Sequence, residues 1–470
     1  MTGDGAYPGA RITAGPRHWQ ILQQVDGYAS VAIEGTWSVG TDETVAPGPV
    51  YIRAVREEDG GEVIPWMPCV MHSERRWDAV LARLPAGGPY RIESCLRRDP
   101  TIGIEWAARG DMIHHVGVGD LWLIAGQSNA VGYGRGPIYD PPELGVHLLR
   151  HDGAWDLASH PLNDATASIY PANRDDANPG HSPFLAFARV IRRATGRPVG
   201  LLMAARGGSP LAAWDVEDDG YLTRNMLRIV TDAGGRVHGI LWYQGESDTT
   251  PSAAPSYLAR FARTVAAWRT LLNDAALPIL TVQLNRLAVE QDWGATDEGW
   301  GWVRDAQRRA AGVIAKVYVV PALDAPLSDS IHTSPTGNIL IGERLARLAL
   351  AVVYGQQEPS MAPTIAAATS DSPPGALVGT IDLRFDGVRG YLLAHTPDQP
   401  VFVVEDERGI LPIAHWAVVS SDRIRLTLDR RPVGATRVHG APGRDPLGAL
   451  PVDTGTYLPM LAFHDVAVVP

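Results

Sequence analysis

Apolar and polar positions along this chain change rhythm twice. From His18 to about Val118 the apolar residues come in short runs: Ala29-Ser-Val-Ala-Ile, Val50-Tyr-Ile-Arg-Ala-Val, Trp77-Asp-Ala-Val-Leu and Tyr90-Arg-Ile-Glu-Ser. Turn signals such as Asp59-Gly-Gly and Pro85-Ala-Gly-Gly-Pro separate them, a spacing that predicts a small β-sandwich. From Asp120 strand-like runs alternate with helical periodicity. The runs are Leu121–Ala125, Val199–Ala204, Val237–Tyr243, Pro278–Leu284 and Val313–Val320. The helices are one opened by Ser182-Pro183 and ending at Gly196, then Tyr221–Ala233, Ser256–Leu272 and Trp302–Ala311, and one from Ser334-Pro335 to near Gly355. A serine followed by proline supplies an N-cap and a first helical residue that needs no N–H. A βαβα series implies a parallel sheet with helices on both faces. Beyond residue 375 short strands return, for instance Val401-Phe-Val-Val, Ile424-Arg-Leu-Thr-Leu and Leu461-Ala-Phe.

At 470 residues, two or three domains are expected. The pattern divides the chain into a flexible tail (1–17), a β-sandwich-like domain (18–117), an α/β domain (118–356), a Pro/Ala/Ser/Thr-rich linker (357–375) and a second β-rich domain (376–470). The stretch from Asn129 to His181 shows little regular pattern. Loops that long usually serve function, so it is expected to wall a site.

The chemistry gathers where the apolar runs end. Leu121–Ala125 stops at Gly126, and Gln127-Ser128-Asn129 follows, which places a hydroxyl where open α/β sheets keep their clefts. Serine needs a base to become a nucleophile. Leu327-Ser-Asp329-Ser-Ile-His332 supplies one far downstream: Asp329 can meet Nδ1 of His332 and turn Nε2 toward the serine. The G-x-S-x-G elbow of α/β hydrolases is absent. A second run ends in Arg206-Gly207-Gly208-Ser209 and a third in Gln244-Gly245-Glu246-Ser-Asp248. Backbone N–H groups of Ser128 and of Gly207 or Gly208, with the Gln244 amide, would form an oxyanion hole.

These four blocks, GQSNA, RGGS, WYQGESD and DSIH, taken in order, resemble the SGNH hydrolases, and more narrowly the sialate O-acetylesterase-like carbohydrate esterases. The resemblance covers roughly the central half of the chain. It implies a three-layer α/β/α, flavodoxin-like catalytic domain flanked by the β-sandwich-like modules. It also implies a serine esterase that removes O-acetyl groups from a carbohydrate or sialic acid through an acyl-enzyme, with no cofactor and no metal. Ser128 would be the nucleophile, His332 the base and Asp329 its orienting acid. Gln244 stands where the wider superfamily often has asparagine, and Ala130 where many relatives carry methionine. Arg206, Trp155 and Asn285 are candidate substrate contacts, with Tyr139 and Tyr170 further stacking surfaces. Two alternatives stay open: an esterase for longer acyl chains, and a carbohydrate-binding protein whose hydrolase domain has decayed.

Other residues admit plainer readings. Glu246 and Asp248 suggest a two-carboxylate glycosidase, but support of the Gln244 loop is the simpler role. His114-His115 lack further ligands at metal spacing, and neighbours on a strand face opposite ways. Trp293, Trp300 and Trp302 form a binding surface or cover a helix. Cys69 and Cys95, the only cysteines, form one bridge or two buried thiols. A net charge of −11 argues against nucleic acid and disfavours polyanions. No apolar run approaches a membrane span. Without a visible leader the chain is expected to be cytoplasmic, or secreted or periplasmic if one has been removed.

Overall fold

The computed structural model of the protein describes residues 8–40, 48–99, 101–289, 293–357, 360–370, 378–394, 401–446 and 448–470. Four hydrophobic clusters organise them: one around Trp77, Ile92 and Val116, a large central one, one around Phe402, Trp416 and Phe463, and a small one of Val319, Ala362, Leu458 and Leu461. The molecule is a mixed α/β protein with several sheets. Among the described residues no helix is long and apolar enough to cross a membrane.

The central sheet contains β1 (Ala108–Gly126), β2 (Val146–Leu149), β3 (Trp155–Leu157), β4 (Val199–Met203), β5 (Gly239–Tyr243), β6 (Ile279–Val282) and β7 (Val317–Val320). Their spatial order is β3-β2-β4-β1-β5-β6-β7, all parallel except β3. Leu121–Ala125, β4, β5 and β6 are buried at every position, which is why they appear in the sequence as unbroken apolar runs. After β1 the chain builds one side of the sheet (β2, β4) and then crosses to the other (β5 to β7). The cleft therefore opens at the carboxyl end of β1.

Helices α1 (Ser128–Val131), α2 (Phe184–Thr195), α3 (Tyr221–Asp232), α4 (Tyr257–Leu271), α5 (Asp297–Val313) and α6 (Pro335–Val352) complete the domain. Trp214, Trp242 and Trp268 meet edge to face between α4 and the sheet, with centroids 5.1–6.2 Å apart, about 0.5–1.5 kcal/mol per pair beyond burial. Ser334 caps α6, its Oγ accepting from Gly337 N at 3.2 Å. Ser182 does not cap α2, which begins at Phe184 after Pro183. Helix α5 starts five residues before the expected Trp302. Thr296 caps it by accepting from Gly299 N at 2.9 Å, and Asp297 and Glu298 in its first turn complement the helix dipole.

Four expectations about organisation change. Gly9–Ala14, assigned to a flexible tail, is a strand paired with Tyr28–Ser38; residues 1–7 lie outside the described residues. The expected boundary at 117/118 falls inside β1. Its first part pairs with the N-terminal strand Gly87–Leu96, and its last residues pair with β4 and β5. The stretch 129–181 holds two strands, β2 and β3; buried His147 in β2, bonded through Nδ1 to Trp19 O at 2.6 Å, interrupts the apolar signal. In the expected linker, Thr364–Ser370 is a strand of an eight-stranded C-terminal sheet, paired with Thr380–Asp386 and Phe463–Val469. Its small residues carry little β signal alone, and pairing on both sides supplies what propensity lacks.

Candidate active site

Strands β1, β4 and β5 end within two residues of one another, with Ile124 opposite Met203 and Gly126 opposite Tyr243. Their three following turns therefore meet at one rim. Gly126 has φ +136°, and a Cβ there would lie 2.1 Å from Tyr243 O, so the turn into Gln127 needs glycine. Ser128 then opens α1, half-buried. Its hydroxyl makes no hydrogen bond within the described residues, His332 included. Catalytic hydrogen bonds of this kind commonly tighten only when substrate is bound.

The Ser328–His332 loop is closed on itself. Asp329 Oδ1 accepts the backbone N–H of Ile331 at 2.9 Å and of His332 at 2.7 Å, while its Oδ2 lies 2.7 Å from His332 Nδ1. Burial works to raise the Asp329 carboxyl, but the two amides and the imidazole outweigh it and hold it below the usual carboxylate range. The Asp329 contact fixes the δ side of the ring and leaves Nε2 facing away from the carboxylate. Tyr133 packs against the His332 ring at 5.0 Å.

Asn129 joins the two halves. Its Oδ1 accepts Thr333 N–H at 3.0 Å, and its Nδ2 donates to Ile331 O at 3.3 Å and to Glu246 Oε1 at 2.7 Å. The residue beside Ser128 thus grips the peptide on both sides of His332. The sequence reading gave Asn129 no role; its place in the GQSNA block was the available signal.

Beneath the rim lies a hydrogen-bonded polar layer. Gln127 Oε1 accepts Gly245 N–H at 3.3 Å and Ser247 N–H at 3.2 Å. Gln244 is fully buried: its Nε2 donates to Asp248 Oδ2 at 2.6 Å, Ser209 O at 3.1 Å and Gln127 Oε1 at 3.2 Å, and its Oε1 accepts from Tyr257 OH at 3.0 Å. This corrects the expectation that its amide faces the oxyanion, because both N–H groups already have partners. Burial pushes the Glu246 and Asp248 carboxyls up. Neither is placed to flank a substrate bond: Glu246 is bonded to Asn129, and Asp248 to Gln244 and to Leu211 N at 2.8 Å. The open donors are backbone ones. The N–H groups of Ser128, Gly207 and Gly208 have no acceptor among the described residues. Gly208 sits at φ +65°, a conformation that favours glycine, and a Cβ there would meet open space.

Residues 118–351 match the family described as carbohydrate esterase, sialic acid-specific acetylesterase. They belong to that family. The protein is accordingly a carboxylic ester hydrolase of the carbohydrate acetylesterase kind. Over 252 residues, 48% of this chain and 88% of the relative, the esterase is 28% identical to an Arabidopsis thaliana protein named as a probable carbohydrate esterase. Its fold is similar to that of a carbohydrate acetylesterase from Xanthomonas citri, with TM-score 0.66 at 22% identity, over 95% of this chain and 97% of that one.

The expected substrate contacts of the esterase fare unevenly. Arg206 pairs with Asp175 at 3.1 Å and bonds the carbonyl of Arg174. Asn285 is buried, donating to Thr333 Oγ1 at 3.1 Å and Ala325 O at 3.2 Å, so it braces the histidine loop instead of facing substrate. Trp155 is buried against Gly200, at the amino end of β4 and away from the cleft. Tyr170 is buried and Tyr139 is 87% exposed. The sequence reading missed Tyr133, whose hydroxyl lies near Gly207 while its ring meets His332.

Among the described residues one group has metal-ligand character: Asp140, His160 and His181. Asp140 Oδ2 lies 3.1 Å from Nε2 of each histidine, their rings stack at 4.0 Å, and Arg189 pairs with Oδ1. Burial alone would raise the Asp140 carboxyl, but the two imidazoles and Arg189 outweigh it and hold it well below the carboxylate range. A guanidinium on the carboxylate makes this a poor cation site and a good staple for the 132–181 segment. His114 and His115 do not face opposite ways: His115 has φ +60°, and both rings reach Glu57. The bulge cancels the alternation expected of a strand. Cys69 and Cys95 are free, and burial pushes their thiols up to about 12 and about 11.

Proposed function

We propose that this esterase removes O-acetyl groups from a carbohydrate by serine catalysis through an acyl-enzyme. Ser128 Oγ attacks the acetyl carbonyl carbon while His332 Nε2 takes the hydroxyl proton. Asp329 keeps the ring in the tautomer that can accept it and stabilises the imidazolium. The tetrahedral oxyanion rests on the backbone N–H of Ser128 and of Gly207 or Gly208. The ester C–O bond then breaks, and His332 returns the proton to the departing sugar oxygen. Water repeats the sequence on the acetyl-serine and releases acetate. Gln244 acts through the loops that it ties together.

The observation that supports this reading is the Asn129 clamp: the residue next to Ser128 bonds the peptide on both sides of His332, whose Nδ1 meets Asp329. The same reading takes the central domain as the three-layer SGNH arrangement, with α2 packed on α6 and α4 on α5. The chain's negative charge favours neutral acetylated glycans over polyanions as substrates. Acetate release across acetylated xylan, xyloglucan and sialic acid, with fluorophosphonate labelling mapped by peptide mass spectrometry, tests it. The label belongs on Ser128. Labelling elsewhere, or best activity on esters longer than butyrate, overturns the proposal.

A further inference from the structure

A second cavity, of about 470 Å³, lies between the amino end of α5 and the C-terminal sheet. Three neighbouring strands face it: Phe402–Asp406, Arg437–Gly440 and Phe463–Val469. Its volume is that of a small-ligand site. Trp302, half-buried on α5, meets His464 edge to face at 5.0 Å and offers an aromatic wall. Asp297, Glu405 and Asp465 supply carboxylates.

His439 decides what these groups could hold. Its side chain is 6% exposed, and Nε2 has no hydrogen-bond partner among the described residues, its nearest carboxylate oxygen there being Glu405 Oε2 at 4.0 Å. Nδ1 accepts the N–H of Asp465 at 3.2 Å and faces His464 Nδ1 at 2.9 Å. The ring's single proton is therefore on Nε2. Burial, and then His464, push His439 down to about 4, so it stays neutral near pH 7. The cavity thus combines a buried, unsatisfied N–H donor with carboxylate acceptors and an aromatic face. A bare cation finds no lone pair at Nε2, and an anion meets the carboxylates. A hydroxyl satisfies both sides, accepting from His439 and donating to Glu405 or Asp465. Asp465 holds φ +57°, the kind of local strain that recurs at ligand sites.

We propose that this cavity is a second glycan-binding site, taking a neutral, hydroxylated sugar unit of an oligo- or polysaccharide. The choice of ligand rests on the carbohydrate substrate proposed above. The site shares a seam with the catalytic loop. Asp297 Oδ1 accepts Arg444 N–H at 3.0 Å, Arg444 O accepts Leu287 N–H at 2.9 Å, and Ala288 N–H donates to Ser330 O at 2.8 Å. A chain held there would be anchored beside the cleft without touching Ser128.

Calorimetric titration of the full chain with cellohexaose, xylohexaose and sialyllactose tests this. One neutral hexaose should bind and sialyllactose should not. Trp302→Ala and Glu405→Gln should each weaken binding at least tenfold while kcat/KM on p-nitrophenyl acetate stays within twofold. The exposed Glu405→Gln variant removes no core contact, so its result stands if the tryptophan variant folds poorly. Failure of both hexaoses to bind, or unchanged affinity in the Glu405 variant, overturns the site. Wild-type hydrolysis retained by Ser128→Ala, with hexaose binding intact, would overturn the serine mechanism alone.

Discussion

Asp329 and Asp140 both hold imidazole rings, with opposite outcomes. Asp329 takes Nδ1 of one histidine, its own side chain is 46% exposed, and the ε edge of the ring has no hydrogen-bond partner among the described residues. Asp140, 2% exposed, takes Nε2 of two histidines and a guanidinium, and the Nδ1 atoms left over are buried without partners. On the mechanism proposed above, the first arrangement keeps a reactive nitrogen for a substrate; the second ties segments together. The proposal therefore turns on where the far nitrogen of a carboxylate–imidazole pair faces. Proximity of the two residue types is insufficient.

Substitutions can break that contrast. Ser128→Ala should lower kcat on p-nitrophenyl acetate by about a million-fold; wild-type turnover would leave the Asp329 pair without a task. Asp329→Asn should cost about ten-thousand-fold by releasing the tautomer, whereas Asp140→Asn should leave turnover nearly intact. Equal losses in the two would erase the distinction. Asn129→Ala should reduce kcat by about a hundredfold through misplacement of the histidine loop, with KM little changed. Stability sharpens the other side. Asp140→Asn should lose about 3 kcal/mol, read from urea midpoints, because Arg189 keeps a partly buried charge without its partner.

The smallest effect is in pH. The folded Asp140 carboxyl sits below its unfolded value of about 4. Its stabilisation is complete above that value and is lost as pH falls toward the folded one. Urea midpoints of the wild type should therefore drop more steeply below about pH 4 than those of Asp140→Asn. Parallel curves would mean that the staple carries no proton linkage.

Much of the central domain was legible because buried parallel strands must be apolar throughout and their helices carry amphipathic spacing. The Asp329–His332 contact was legible too, since three residues in a tight loop leave few geometries. What escaped depended on partners distant in sequence. The direction of the Gln244 amide follows from Asp248 and Tyr257, and the burial of Trp155 from Gly200 and the sheet edge. The strands at Gly9 and Thr364 depend on neighbours that no local window contains. The shared carboxylate of His114 and His115 needed a bulge that periodicity arguments assume away.

Strand β1 has an engineering corollary. It leaves the N-terminal β region, bends at His115 and runs without a break to the turn that carries Ser128. The N-terminal β region and the Ser128 turn are two ends of one girder, so neither can swing on a hinge independently of the other. A shortened enzyme begun at residue 118 would saw through that girder, strip Ile21–Gln23 from its flank and leave raw hydrogen-bonding edges prone to clumping.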